Sequence, residues 1–223
     1  MKKKKIYIES ICIIIISLMS LVLISFNIIS MYSGSLEEDN VLKVTNKFYQ
    51  SANNPTDYQK QIFDDLTMAL NNESSDENDL IIVDLVAKNF IADLFTWNNK
   101  DGNFEVGGQT YLYGSSLIAF NNYIKDTLYK DLDRYIVKYG KDYLPEVDEI
   151  NSEAVYNGEF PTSLDTYPSY YVAASFDYSE HLDYDSELGS KVVDTSNFQK
   201  TMHLYIIKTD EGRFEVVQFF EEF

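Results

Sequence analysis

The N-terminal stretch of the chain is almost entirely hydrophobic. Residues 6–31 are mostly isoleucine, leucine, serine and methionine, interrupted by one charged residue, Glu9, and one amide, Asn27. About 17–25 apolar residues in a helix cross the hydrocarbon core of a bilayer, and this segment reaches that length. Lysines at positions 2–5 precede it, and the positive-inside rule places such a basic flank in the cytoplasm. The pattern predicts a cytoplasmic tail over 1–5, a signal-anchor helix over 6–31, and a C-terminal domain outside the cell membrane.

A cleavable signal peptide is the alternative interpretation of this segment, because such peptides also begin with a basic region. The small residues Ser33, Gly34 and Ser35 would then provide the cleavage site. The apolar stretch exceeds the roughly 7–15 residues of a typical signal peptide, which favours a retained anchor.

Beyond the apolar stretch, hydrophobic residues first recur at helical spacing over residues 36–51. The run is followed by Asn53-Asn54-Pro55, a strong break signal. We therefore predict a stalk or linker helix within residues 32–54, with the folded domain occupying residues 55–223.

Three further segments have the spacing of amphipathic helices. The first covers about residues 56–72. The second follows Ser74, which has the capping-box spacing with Glu77, and its wide apolar stripe predicts a helix across the core with Phe90 buried. The third covers about residues 115–140, where Ser115 or Ser116 would cap its start.

The hydrophobic period then changes from 3.6 to 2. A short strand-like segment at residues 103–113 is interrupted by Gly107-Gly108, and regular alternation begins near residue 149. Residues 209–213 have the composition of a hairpin turn between the last two strands. One face of the second strand carries Tyr170, Val172, Ala174, Phe176 and Tyr178.

Helices followed by consecutive antiparallel strands are typical of the α+β class. We predict an N-terminal transmembrane helix, then three to four helices packed on one face of a curved antiparallel sheet of about four strands.

The charge of the chain is strongly negative. Its 36 acidic and 18 basic residues give a formal net charge of −18, and four of the lysines belong to the anchor, so the outer domain is more acidic still. Binding of nucleic acid requires clustered lysine and arginine that neutralise phosphates, and the outer domain has no such cluster. This balance excludes a nucleic-acid partner and favours cationic partners or high solubility.

Metal-binding patterns in the sequence are weak. The only cysteine, Cys12, lies in the apolar stretch, so the outer domain has neither a disulfide nor a cysteine-based zinc site. Asp183, Asp185 and Glu187 alternate as calcium ligands can, but the glycine that follows is one position late for an EF-hand loop. A solvated loop is the favoured interpretation, and we expect no cofactor.

Catalytic chemistry has one candidate residue, His203, on a predicted strand. Thr201 and Tyr205 share its face, which would allow a hydrogen-bonded tyrosine–histidine cluster or a pocket between sheet and helices. The chain has no nucleophile elbow, phosphate-binding loop or HExxH motif. We therefore expect no enzymatic activity.

Tyrosine is abundant, with 18 residues, and provides large amphipathic contact area at low entropic cost. Tyr170, Tyr171 and Tyr178 on the second strand are the candidates for contact with a partner protein.

The lysine-flanked anchor, the helices and the four C-terminal strands together resemble a cystatin-like, or nuclear-transport-factor-like, fold over about residues 55–223. Within that fold, the single N-terminal span is similar to the bitopic assembly factors of type IV secretion and conjugative transfer systems. The resemblance rests on element order and transfers no functional residues.

This resemblance implies a non-enzymatic scaffold that binds other proteins of an envelope assembly, usually as an oligomer. The same fold also hosts domains with a small-molecule or catalytic pocket, which is the alternative function.

Overall fold

The computed structural model describes residues 44–114, 117–179 and 193–221. Within these ranges, four α-helices precede a four-stranded antiparallel sheet with the strand order β1-β2-β3-β4, which confirms the α+β class. The elements are α1 (Asp57–Leu70), α2 (Asp76–Phe95), α3 (Leu117–Asp126), α4 (Leu132–Tyr139), β1 (Val147–Pro161), β2 (Thr166–Tyr178), β3 (Thr201–Lys208) and β4 (Phe214–Phe220).

The first two helices begin at side-chain caps. Thr56 and Gln59 form a reciprocal capping box at α1. The cap of α2 is Ser75, whose Oγ accepts from the backbone amide of Asn78 at 3.1 Å. The prediction of Ser74 as this cap is therefore wrong by one residue, since Ser74 Oγ instead accepts from Lys208 Nζ at 3.4 Å.

The long helix α2 forms the centre of the core. It packs against α1 on one side and contacts all four strands on the other. Phe90 is fully buried, as the helical stripe predicted, and touches Phe120 of α3 and Phe219 of β4. Burial on nearly every side explains why α2 is apolar around most of its surface.

The segment predicted as one helix over 115–140 is two helices, α3 and α4, where the structure describes it. The break follows from Tyr129, which is completely buried and donates its hydroxyl to the carbonyl of Leu94 at 2.7 Å. Drawing this ring into the core redirects the chain between the two helices. Gly140 ends α4 in the left-handed φ region (φ 83°), which accounts for the glycine there.

The prediction of a stalk helix is wrong over residues 44–54, the described part of that segment. These residues contain no helix. The segment packs on the domain through Tyr49, whose hydroxyl donates to the carbonyl of Phe214 at 2.7 Å and accepts from the Phe214 amide at 3.0 Å. This segment is therefore part of the folded domain, with Tyr49 and Ala52 buried in it.

The predicted strand at 103–113 is also replaced by a loop that passes close to α2. A Cβ atom on Gly107 would lie 2.0 Å from the carbonyl oxygen of Asp93, so only glycine fits this approach. Gly108 adopts a positive φ of 77° and donates its amide to Asp93 Oδ2 at 2.7 Å. A single bridge joins Leu112 to Val216 of β4.

Residues that face the helices and residues that face away from them alternate along the strands, as the sequence predicts. Its inner face, against the helices, includes the buried residues Tyr170, Val172, Ala174, Phe176 and Tyr178 of β2. The last two strands are joined by a turn in which the Thr209 amide donates to the carbonyl of Arg213, which confirms the hairpin at residues 209–213.

The predicted tail over 1–5 and anchor over 6–31 lie outside the described residues. Among the residues that are described, no helix combines the length and the apolar character needed to cross a membrane.

Candidate functional site

The outer face of the sheet is the side turned away from α2, and a cluster of aromatic rings lies on it. Consecutive ring pairs connect Phe160 to Tyr205 (6.2 Å between centroids), Tyr205 to Tyr171 (5.5 Å), Tyr171 to His203 (5.7 Å) and His203 to Phe220 (5.3 Å). We call these five residues the outer-face aromatic cluster. All five are partly solvent-accessible, and Phe220 is 38% exposed.

The strand register explains how this cluster forms. Tyr171 lies directly opposite Tyr205 on β3, and also opposite Val155 on β1. His203 lies opposite Phe220 on β4. Side chains that are opposite each other on one face of a sheet are in contact distance, so odd-numbered residues of β2 and β3 bring the rings together.

His203 and Tyr171 are joined by a hydrogen bond between the tyrosine hydroxyl and His203 Nδ1 at 2.5 Å. The predicted tyrosine–histidine cluster therefore exists, with Tyr171 as the bonded partner and Tyr205 beside it. The pocket expected between sheet and helices does not include His203, because its strand position places it on the outer face.

Two of the predicted contact tyrosines lie on the inner face of the sheet and are buried there. Tyr170 is 6% exposed and donates its hydroxyl to Asp79 Oδ2 at 3.3 Å, and burial raises the pKa of Tyr170 to about 12. Tyr178 is buried as well and donates to the carbonyl of Gln199 at 3.1 Å. Only Tyr171 of the three predicted residues lies on the outer face.

Tyr205 was grouped with His203 from the sequence, whereas Phe160 and Phe220 were missed as members of the cluster. The sequence indicates the orientation of Tyr205. This residue alternates with the buried residues Leu204 and Ile206, so its side chain must face the other way. Phe160 and Phe220 depend on the pairing of β1 and β4 with their neighbours, which a single sequence does not show.

Beside the cluster, the outer face has a shallow depression of about 400 Å³. Its floor includes the small residues Ala173 and Ser175 of β2, and Glu153 of β1 and His203 of β3 stand on either side. Asn151 and Thr201 extend the two walls. The depression is broad and open to solvent, which suits the side chain of another protein better than an enclosed small molecule.

Carboxylates dominate the charge around this depression. Glu149 and Glu153 lie on β1, and Asp177 lies opposite Glu149 on β2 and pairs with Lys200 at 2.8 Å. Partial burial raises the pKa of Asp148, and the neighbouring charges of Glu149 and Asp177 raise it further. This edge of the outer face therefore carries excess negative charge.

Other cavities are lined mainly by residues outside the outer-face aromatic cluster. One, of about 440 Å³, is lined in part by Lys100, which is 1% exposed and pairs with Asp93 at 2.6 Å. Because Asp93 also binds the Gly108 amide, this pair holds the loop at 98–108 against α2 and has a structural role. The second, of about 530 Å³, is mainly apolar and includes Phe95, Met202 and Phe219.

The weak calcium candidates, Asp183, Asp185 and Glu187, lie outside the described residues. Within residues 44–114, 117–179 and 193–221, no group of three or more histidine, cysteine, aspartate or glutamate side chains has a geometry suited to a metal ion.

Comparisons of the chain with protein-family models, with curated proteins and with solved structures find no match.

Proposed function

We propose that this chain is a non-enzymatic, membrane-tethered interaction subunit that binds another protein through the outer face of its sheet. The observation that carries the proposal is the outer-face aromatic cluster. Aromatic side chains are enriched at the centres of protein interfaces, where each contributes a large contact area from a nearly rigid group.

Hydrogen bonding within the cluster supports the same role. The bond between Tyr171 and His203 and the ring contacts to Tyr205 hold the side chains in place before a partner arrives. A preorganised surface loses less side-chain entropy on binding, and this increases affinity.

The charge of the surface indicates the kind of partner. Glu153 borders the depression beside the cluster, Glu149 precedes it on β1, and the chain as a whole has a net charge of −18. Complementary charge speeds encounter and rejects acidic competitors, so the partner should present lysine or arginine side chains.

The proposed setting is the outer side of a cell membrane, in an envelope or conjugative transfer assembly. The apolar stretch over 6–31 and the lysines at 2–5 support the tether and its orientation. The order of the helices and strands supports the cystatin-like fold of such assembly factors.

Alanine substitution on the outer face tests the proposal. We expect Tyr205→Ala, in the full-length protein in its native membranes, to shift the protein from its native complex to a smaller species on native gel electrophoresis. Phe104→Ala is the matched control, because Phe104 is a 65% exposed aromatic residue in the loop at 98–108, which packs against α2 on the other side of the sheet. A complex that survives Tyr205→Ala and the double substitution with Tyr171→Ala would contradict the proposal.

A second candidate function, binding of a small apolar molecule, draws on the cavity of about 530 Å³ that Phe95, Met202 and Phe219 help to line. Met202→Trp would fill this space. If the cavity is the functional site, that variant loses binding of an environment-sensitive apolar dye, while Tyr205→Ala retains it.

A further inference from the structure

The free edge of the sheet carries a second feature that the proposed function does not use. β1 pairs with β2 on one side, and no described strand pairs with it on the other. The opposite edge differs, since β4 is bridged by Leu112 and its Val216 carbonyl accepts from the amide of Tyr113 at 3.0 Å. Among the described residues, β1 is thus the edge that remains available for pairing.

The hydrogen-bond pattern identifies which backbone groups of β1 point outward. The amide of Phe176 donates to the Lys200 carbonyl, on the β3 side, so its partner across β1, Ile150, must direct its own groups away from β2. The backbone of Ile150 lies close enough to the Tyr58 hydroxyl to lower the pKa of that group, which burial raises overall. By alternation, Ser152 and Ala154 also present their amide and carbonyl groups at the open edge.

Both ends of this open stretch are defined. Tyr58 of α1 lies beside Ile150 at one end, and a register shift between Tyr156 and Glu159 interrupts the strand at the other end. Gly158, with a φ of 78°, lies within that irregularity. The stretch of β1 that is available for strand pairing is therefore short and centred on Ser152 and Ala154.

The charge of β1 determines what can pair there. Asp148, Glu149, Glu153 and Glu159 lie in this strand, and Val147–Pro161 contains no lysine or arginine. A second copy of the chain would set like charges opposite each other, which destabilises strand pairing. An extended segment with lysine or arginine at alternate positions would instead place cations beside Glu149 and Glu153.

We propose that β1 binds an extended, basic segment of the partner protein as an added strand, hydrogen-bonded at Ser152 and Ala154. This inference rests on the proposed function and specifies how the partner is held. Main-chain bonds at a sheet edge provide affinity, and side chains at alternate positions provide specificity. One row of the added side chains would lie over the outer face, next to the depression formed by Asn151, Glu153 and Ala173.

An eight-residue peptide of alternating lysine and valine, blocked at both ends, serves as the probe, with alternating glutamate and valine as the control. Amide hydrogen exchange is measured on the full-length protein in a non-ionic detergent. We expect the basic peptide to slow exchange about tenfold at Ser152 and Ala154, because new strand bonds protect these amides. The Glu153 amide, which already faces β2, should not change, and the acidic peptide should protect neither position.

Two variants separate edge pairing from general attraction to an acidic surface. Ala154→Pro removes an outward donor without removing a bond to β2, and it should abolish protection of Ser152. Glu153→Gln keeps the whole backbone and should weaken binding of the peptide severalfold, whereas Asp126→Asn, an exposed acidic position on α3, should not.

If saturating basic peptide leaves the amide exchange rates of Ser152 and Ala154 unchanged, the proposal that β1 binds an added strand is wrong. The same conclusion would follow if a folded Ala154→Pro variant bound the peptide as tightly as the wild type. Neither result bears on Tyr205→Ala and the native complex, so failure of the added-strand proposal and failure of the proposed function are distinguishable.

Discussion

At the scale of the residue, Tyr170 and Tyr171 show how one position along a strand separates core from contact surface. Tyr170 faces α2 and binds Asp79, which is also paired with Lys208 at 2.5 Å. Tyr171 faces away from the helices and binds His203. The first residue stabilises the fold, and we propose that the second contacts the partner.

Alanine substitution should separate these two roles. Tyr170→Ala removes a buried ring and should lower the free energy of unfolding by about 3–5 kcal/mol. Tyr171→Ala removes a half-buried ring and one hydrogen bond and should cost about 1 kcal/mol. Urea denaturation of both variants measures the difference, and equal losses would mean that the two rings are equally buried.

Glu215 on β4 predicts a dependence of stability on pH. Burial raises the pKa of its carboxyl above the ordinary value of 4.5, although Arg213 opposes that shift. A raised folded-state pKa means that the folded protein holds this proton more tightly than the unfolded chain does, so the contribution to stability is present below pH 4.5 and is lost as pH rises through the folded pKa.

Glu215→Gln removes this titration. Across about pH 4–7, the variant should gain stability relative to the wild type as pH increases and then reach a plateau. Urea denaturation at several pH values measures the two curves. A constant difference between them would show that the pKa of Glu215 is the same in the folded and unfolded states.

At the scale of the element, the start of α2 depends on Ser75. Ser75→Ala should destabilise the protein by about 1 kcal/mol, because the Asn78 amide loses its cap. Ser74→Ala is the matched control and should have a smaller effect, since Ser74 accepts only a long bond of 3.4 Å, from Lys208. Thermal unfolding of both variants would reveal a reversed order if Ser74 were the cap.

Elements whose structure follows from the local sequence pattern were predictable. Elements whose structure depends on contacts with residues far along the chain were not. The buried stripe of α2 around Phe90 and the turn at 209–213 follow from periodicity and turn composition. The fold of residues 44–54 depends on Tyr49 binding Phe214, 165 positions away, so its helical spacing was misleading. The break at Tyr129 likewise depends on the distant carbonyl of Leu94.

The candidate site was predictable only in part for the same reason. Alternation along β2 already grouped Tyr170 and Tyr178 with buried Val172 and should have removed them as contact residues. His203 and Tyr205 were recognised as neighbours on one face, which the structure confirms. Phe160 and Phe220 join them through cross-strand register, which requires the fold.

At the scale of the whole molecule, we propose that residues 6–31 tether the acidic domain to the outer side of a membrane. We expect the full-length protein to fractionate with membranes, and protease added to cells without a wall to digest the acidic domain. Immunoblotting against the C-terminal part measures both. A secreted form beginning near residues 34–36 would show instead that the N-terminal segment is a cleaved signal.

The central claim is that the outer face of the sheet touches another protein, and site-specific photo-crosslinking tests it most directly. A benzoylphenylalanine residue at position 205, on the outer face, should crosslink in living cells to one discrete partner protein. The same residue at position 104, in the exposed loop packed against α2, should not. Equal crosslinking at both positions, or crosslinking at position 104 alone, would contradict the claim.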